Sequence, residues 1–568
     1  MLEEGLINSG GISIDVFRLL SIKMKNVVVV LLLLYVPVMA VCGQSGKHAK
    51  DSHRESYDAF VLRAHKEYYE FRKKAIAEYT AFVRQAWTKM GVEVHEEIPK
   101  EEKVMPIVLP DAEEETDSWF GDLVSKVFKK RHYKKKEGKK SIQLPQNKVA
   151  ELPPMVKQPE PDKEVKSIPL KAHSYKSFDI FGTKCRVRIG DQCIFKLPTV
   201  SEQDVADAID KVFADPYFDN LLYDCLQERK KHSFSDWAYY QMLMKLTDTF
   251  YGPKSNEATL VLAFLYSQSG YLMRLARDEN GQLYMMVGSA YYMYGKSLVS
   301  SDNMWFYLLD GRKCDTGLIV CKNAKFKNES PMTLQISMTQ HFDNNPTVER
   351  TIVSPQNSDF SFTVRSNKNY IDFYNTVPPG YINDDYMTKF SMYANTPLEE
   401  GLVEQLYPQM KPKLDSLTII DAVQQLLWWV QGRVDTERKT PNRNCFQYAY
   451  DDDVWGYERA FFGEESIFYP YNDCEDRAIF MSHLVRELLG LDVVLVFYPG
   501  HLAMAINFPI EVEGDYYEYE GRKYVVCDPT IVPGSVGETM PDMVGRPHTL
   551  IPLKRGSKWV QKTAPVEM

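Results

Sequence analysis

Residues 472–507 read NDCEDRAIFMSHLVRELLGLDVVLVFYPGHLAMAIN, and this stretch decides the reading of the chain. Asn472 or Asp473 is placed to cap a helix that opens at Cys474 and stops at Gly490. LDVVLVFY then reads as a buried strand, Pro499-Gly500 as a turn, and HLAMAINF as the returning strand of a hairpin. Downstream, YYEYEGRKYVVCDPT (516–530) supplies two more strand runs around Glu520-Gly521, and upstream SLTIIDAVQQLLWWVQGRV (416–434) reads as a helix. The elements define an α+β domain over residues 396–568.

The chemistry of this domain follows from where its reactive residues fall. Cys474 opens a helix, where the positive end of the helix dipole favours a thiolate. Glu475 and Asp476 oppose that effect, so an imidazolium partner becomes more necessary. His501 begins a strand beside a turn, within reach of a helix N-terminus packed over the same sheet, and it can act as general base. Asp528 ends the following strand run before Pro529 and can hold the imidazole tautomer. His501 and Asp528 each lie 27 positions after the preceding member. A lone helix-start Cys, a lone strand-start His or an Asp before Pro is ordinarily structural; only the spaced combination points to a triad. Gln447 and Trp455 are candidates for an oxyanion donor beside the Cys474 amide.

The pattern Asp473-Cys474-Glu475-Asp476-x-Ala478, then Gly500-His501-x-Ala503, then Val526-x-Asp528-Pro529-Thr530, resembles the transglutaminase-like superfamily. The resemblance implies a papain-like arrangement, an acyl-thioester intermediate, and the roles of nucleophile, base and orienting acid at Cys474, His501 and Asp528. Members of that superfamily crosslink Gln to amines, deamidate, hydrolyse peptide or amide bonds, or only bind. The approach to the cysteine, Phe468-Tyr469-Pro470-Tyr471-Asn472, departs from the glycine-rich approach of many relatives and narrows the entry to the thiol.

Working back along the chain, residues 172–320 read as another α+β region. Its segment NEATLVLAFLYSQSGY (256–271) lines up with the Cys474 helix, Asn256-Glu257 standing where Cys474-Glu475 stand and Gly270 where Gly490 stands. LYMMVG and FYLLDG are the matching strands, and no His lies in the first of them. This region is therefore expected to be a degenerate transglutaminase-like repeat that binds or braces. Between the two regions, 321–395 carries short alternating runs (TLQISMTQHF, DFSFTVRS, YIDFYN) and is expected to be β-sandwich-like.

The N-terminal part differs in kind. Val27–Val41 (VVVVLLLLYVPVMAV) follows Lys23 and Lys25 and reads as the core of a signal peptide spanning 24–43. Val41 before Cys42 disfavours a lipid anchor there. Residues 51–90 place Tyr57, Phe60, Ala64, Tyr68, Phe71, Ala75, Tyr79 and Phe82 on one stripe of a long amphipathic helix. Residues 91–171 form a charged, proline-rich linker. Within it, 118–140 can make a basic amphipathic helix able to contact a membrane surface.

Length and charge bound the rest. A chain of 568 residues implies several domains, and a formal charge of -9 gives no support to nucleic-acid binding. The nine cysteines show no CxxC and no zinc spacing, so no metal and no cofactor is expected. Cys185 with Cys193, or Cys314 with Cys321, are the pairs able to form disulfides if they sit on adjacent strands. The expected function is an exported bacterial protein of the periplasm or cell surface, a cysteine acyltransferase or amide hydrolase on a peptide, protein or cell-wall substrate. The alternatives are a non-catalytic transglutaminase-like scaffold and a membrane-bound assembly factor.

Overall fold

The computed structural model describes residues 101–104, 107–108 and, with short interruptions, 141–555. The stretches read from sequence as a signal peptide (24–43, with Cys42), a long amphipathic helix (51–90) and a basic amphipathic helix (118–140) lie outside the described residues. The described chain is a mixed α+β structure with two large curled sheets.

The linker contributes short strands β1 (Glu101–Val104), β2 (Ile107–Val108) and β3 (Lys148–Val149), followed by the hairpin β4 (Tyr175–Ile180) and β5 (Thr183–Arg188). Four helices come next: α1 (Glu202–Ala214), α2 (Pro216–His232), α3 (Asp236–Tyr251) and α4 (Asn256–Gln268). Strands β6 (Met273–Arg277), β7 (Leu283–Gly288), β8 (Ser297–Ser301), β9 (Met304–Leu308) and β10 (Leu318–Cys321) complete the first half. They join a seven-stranded sheet in the order β1-β10-β6-β7-β9-β8-β2.

The middle of the chain corrects the sequence reading. Residues 350–364 form one hairpin, β11 (Arg350–Ser354) and β12 (Asn357–Val364), and helices α5 (Lys368–Tyr374) and α6 (Thr388–Asn395) follow, so no β-sandwich is present among the described residues of 321–395. The run YIDFYN was read as a strand. Asn367 caps it through a bond from the Asn369 amide, and Tyr370, Ile371, Phe373 and Tyr374 are buried at helical spacing. The hairpin packs on the following helices α7 (Glu400–Asp415) and α8 (Ile419–Gln431). The buried Trp429 indole N–H donates to the Ile352 carbonyl at 3.0 Å.

Three two-residue strands, β13 (Arg433–Val434), β14 (Gln447–Tyr448) and β15 (Tyr471–Asn472), run parallel and lead into α9 (Cys474–Leu484). Then come β16 (Asp492–Tyr498), β17 (His501–Asn507), β18 (Tyr516–Tyr519), β19 (Arg522–Val526) and β20 (Thr549–Pro552), in a six-stranded sheet ordered β18-β19-β17-β16-β20-β3. The β18–β19 turn holds Glu520 and Gly521 at φ 50° and 69°, the left-handed pair that suits a two-residue hairpin loop. Strands β7 and β17 are buried on both faces, which explains their continuous apolar runs. Every residue of α9 is buried too, and Ile479, Phe480, Met481 and Leu484 each contribute about 1.5–3 kcal/mol of apolar burial.

The two sheets share one plan. In chain order, α4-β6-β7-β8-β9-β10 matches α9-β16-β17-β18-β19-β20, with the same neighbours and the same antiparallel pairings. Register agrees as well. Leu283 pairs with Arg277, which pairs with Ile319; Leu502 pairs with Phe497, which pairs with Thr549. Three positions on, Met286 pairs with Leu308 and Ala505 with Val526.

The linker is not a free spacer where it is described. β1 and β2 pair with β10 and β8, and β3 pairs with β20, so it covers otherwise open sheet edges. The Leu144 amide donates to Tyr516 at 2.7 Å, and Arg229 donates to the Pro159 carbonyl at 3.0 Å. Gly270, at φ 93°, faces the Glu160 carbonyl with no room for a Cβ. Cys185 and Cys193 are both free and buried, so that disulfide is absent; Cys314 lies outside the described residues.

Candidate active site

The second half builds its polar site at the end where α9 meets the sheet. Asp473 caps the helix, and its carboxylate and that of Asp476 exchange bonds with each other's amides. The Phe461 amide also donates to Asp476 at 2.8 Å, tying the upstream loop to the helix start. This fixes Cys474 as the first helical residue.

His501 and Asp528 are in direct contact: Nε2 of the imidazole lies 2.7 Å from Oδ2 of the carboxylate, and both residues are 2% exposed. The other carboxylate oxygen accepts the Thr530 amide at 2.9 Å, and Gln431 donates to the Asp528 carbonyl at 3.3 Å. The Tyr498 ring lies nearly parallel to the imidazole, 17° between planes at 6.1 Å. The Leu502 amide, next to His501, points at the Cys474 sulfur. Cys474 is thus brought to the strand start that carries the His–Asp pair.

The thiol itself is only 7% exposed and donates to Glu475 Oε2 at 3.1 Å. Burial, then the charges of Glu475 and Asp473, push its pKa well above the ordinary thiol value. The sequence reading weighed the helix dipole in favour of a thiolate; here desolvation and neighbouring acids win, and the resting side chain is a neutral thiol.

Acids crowd this end of the helix. One oxygen from each of Asp451, Glu458, Asp473 and Glu475 lies within 4.8 Å of the others. Asp451 is pushed up to about 10 by burial and then by Asp476, Glu475 and Glu458. Asp473 and Asp476 are held well above the usual carboxylate range, by burial first. Arg477, fully buried one turn into the helix, donates through Nε to Asn472 at 2.9 Å and lies over the Tyr448 ring at 5.1 Å. Burial lowers its pKa to about 10, and its two terminal nitrogens make no hydrogen bond to the described residues. Asp451, Glu458, Arg477 and Tyr448 were missed by sequence reasoning. Asp451 opens a four-residue helix and Glu458 sits in the loop after it, a stretch too short to show periodicity, although an Arg within a helix as apolar as AIFM was a usable signal.

Of the two oxyanion candidates, Gln447 is buried in β14, paired directly with Tyr471 on the strand that leads into the Cys474 helix. Trp455 packs instead on Tyr469 and Phe461, with the Arg459 guanidinium 5.0 Å from its ring.

The shared register locates the equivalent positions in the first half. Asn256 opens α4 as Cys474 opens α9, and its Oδ1 accepts the Leu283 amide at 2.8 Å, where the sulfur faces the Leu502 amide. Gln282 precedes Leu283 as His501 precedes Leu502, and it donates to the same Oδ1 at 2.7 Å. Asp310 follows β9 by two residues as Asp528 follows β19, and it accepts the Arg312 amide at 2.9 Å in the same turn. Cys, His and Asp are thus replaced by Asn, Gln and Asp.

Comparison with protein-family models, with curated proteins and with solved structures found no match for this chain.

Proposed function

We propose that this chain is a transglutaminase-like cysteine enzyme that cleaves or exchanges an amide bond, with Cys474 as nucleophile, His501 as base and Asp528 as its orienting partner. The observation that carries the reading is the 2.7 Å His501–Asp528 contact at the strand start whose Leu502 amide meets the first residue of a buried helix, Cys474. In the reaction, the Cys474 proton passes to His501 and the sulfur attacks the substrate carbonyl. The tetrahedral oxyanion collapses, the C–N bond breaks, and the imidazolium returns the proton to the departing amine. A thioester on Cys474 remains, and water or a second amine releases it. Asp528 holds the ring and stabilises its cation throughout. The Cys474 amide at the helix N-terminus, with the Gln447 side chain, supplies the oxyanion donors.

The first half, with Asn256 and Gln282 in place of Cys and His, is a degenerate copy that braces the enzyme. The substrate class is a peptide, protein or cell-wall amide. Lys23 and Lys25 before the apolar run at Val27–Val41 support export to the periplasm or cell surface. Among the described residues no helix is long and apolar enough to cross a membrane.

The neutral, enclosed thiol favours a second reading, a scaffold that keeps the fold and has lost turnover. Alkylation by iodoacetamide, followed by mass spectrometry of the Cys474 peptide, separates the two. The enzyme reading expects labelling of Cys474 ahead of the other cysteines, slowed at least about tenfold in His501→Ala. Uniform slow labelling, indifferent to His501, supports the scaffold instead.

A further inference from the structure

Outside the site described above, the described residues bring together one other set of a thiol, a carboxylate and an imidazole. Cys185 lies on β5, and Glu228 and His232 lie one turn apart at the end of α2, the helix packed on that strand. One ligand atom from each falls within 4.8 Å of the other two. All are buried: Cys185 is 0%, Glu228 9% and His232 4% exposed. The Arg186 amide, next to Cys185, bonds the Glu228 carboxylate and turns it toward the thiol.

His232 is the informative member. Among the described residues neither ring nitrogen makes a hydrogen bond of good geometry: Nε2 has only a poorly aligned approach to Glu228 Oε2 at 3.3 Å, and Nδ1 has no partner. The ring is clamped flat, 5.1 Å from Phe234 and 16° from its plane, so its edge is held toward the cluster. A buried imidazole usually satisfies at least one nitrogen. An i,i+4 ion pair with Glu228 alone leaves Nδ1 and the apposed Cys185 sulfur unexplained.

We propose that Cys185, Glu228 and His232 form a zinc site in the first half of the molecule. Sulfur, imidazole and carboxylate together match the preferences of Zn(II) rather than those of calcium or magnesium. Tetrahedral bonds of 2.0–2.3 Å place ligand atoms roughly 3.3–3.8 Å apart, so the trio needs to close by only about 1 Å. Three protein ligands leave the fourth position to water. The C-terminal end of α2 adds its negative dipole end to the same spot. Burial and the Glu228 charge hold the Cys185 thiol protonated without a metal, and a dication reverses that balance with release of the thiol proton. Lys231, 3.4 Å from Glu228 and half-exposed, is the competing cation and swings to solvent when zinc binds. The bound ion would tie the β4–β5 hairpin to the helices that support the first sheet.

The test uses the full chain, stripped by a chelator and titrated with Zn²⁺ or Co²⁺ alone. One equivalent of zinc is expected, together with a thiolate-to-cobalt charge-transfer band, in both the parent and Cys474→Ala. In Cys185→Ser the band disappears and zinc binds at least about tenfold more weakly. If Cys185→Ser does not fold, Glu228→Gln decides: it folds, keeps the thiolate band and weakens zinc binding by about the same factor. No cobalt–thiolate band in the parent, or a band lost in Cys474→Ala and kept in Cys185→Ser, overturns the assignment.

Discussion

Glu475→Gln tests the charge that, after burial, most opposes ionisation of the Cys474 thiol. The sulfur donates to the Glu475 carboxylate at 3.1 Å, so ionising it brings two negative charges together. At an effective dielectric near 20 and that separation, the repulsion is about 5 kcal/mol; rotation to twice the distance leaves about 2.7 kcal/mol. That remainder corresponds to about two pKa units. Gln keeps the shape and removes the charge, so the thiolate fraction at neutral pH rises about a hundredfold. A less basic thiolate is also less nucleophilic, with a slope of about 0.4–0.5, which takes back roughly a factor of eight. The net expectation is roughly tenfold faster alkylation of the Cys474 peptide by iodoacetamide at pH 7.5, with an unchanged melting temperature. An unchanged or slower rate in a folded Glu475→Gln protein would refute the assignment of Glu475 as the restraining charge.

Two further outcomes follow, one from the Cys474 end of the second half and one from its equivalent in the first. Asp451 is raised to about 10, Glu464 to about 8 and Glu465 to about 7 in the folded chain, in each case by burial first. A carboxyl with a native pKa above its unfolded value holds its proton more tightly when folded. It therefore stabilises at low pH and surrenders that contribution as pH rises from near 4 through the native value. The melting temperature should fall across pH 5 to 10, and Asp451→Asn should flatten the upper part of the fall; a slope identical to the parent's would count against a protonated Asp451. In the first half, Asn256→Cys combined with Gln282→His puts a thiol and an imidazole at the positions equivalent to Cys474 and His501. That double variant should alkylate at residue 256 several-fold faster than Asn256→Cys alone, and equal rates would argue that the register match does not extend to side-chain geometry.

Local signals were the legible ones. Asp473 before Cys474, the Pro499-Gly500 turn and Glu520-Gly521 each act within a few residues, and each sits at the element boundary it marks. The run YIDFYN was misread because four aromatic and aliphatic residues in six positions fit both periods; the Asn367 cap decides for helix. The linker looked free because edge pairing depends on sheets formed hundreds of residues later. The acids around Cys474 and the Cys185–Glu228–His232 trio are non-local and have no linear signature. Gln282 and Asp310 were overlooked as partners of Asn256 because the first hairpin connection is one residue longer than the second, which shifts any alignment by eye.

The two equivalent helix-start sites differ in how well they satisfy their polar groups, and the difference has a direction. In the first, the Asn256 carbonyl oxygen takes both the Leu283 amide and Gln282, its amide nitrogen reaches the Gly281 carbonyl at 3.0 Å, and Arg312 pairs with Asp310 through Nε at 2.7 Å. In the second, a fully buried Arg477 leaves its terminal nitrogens without described hydrogen bonds, and three neighbouring acids are forced toward protonation. Such a cluster costs folding stability, because each displaced proton equilibrium is worth about 1.36 kcal/mol per pKa unit. A fold that has twice solved the same packing problem shows that the sheet and helix do not require this arrangement. Strain at the helix start that holds Cys474, and not at its equivalent around Asn256, is the pattern expected where side chains are placed for chemistry rather than for support. On that ground we favour the catalytic proposal over the scaffold, despite the closed entrance.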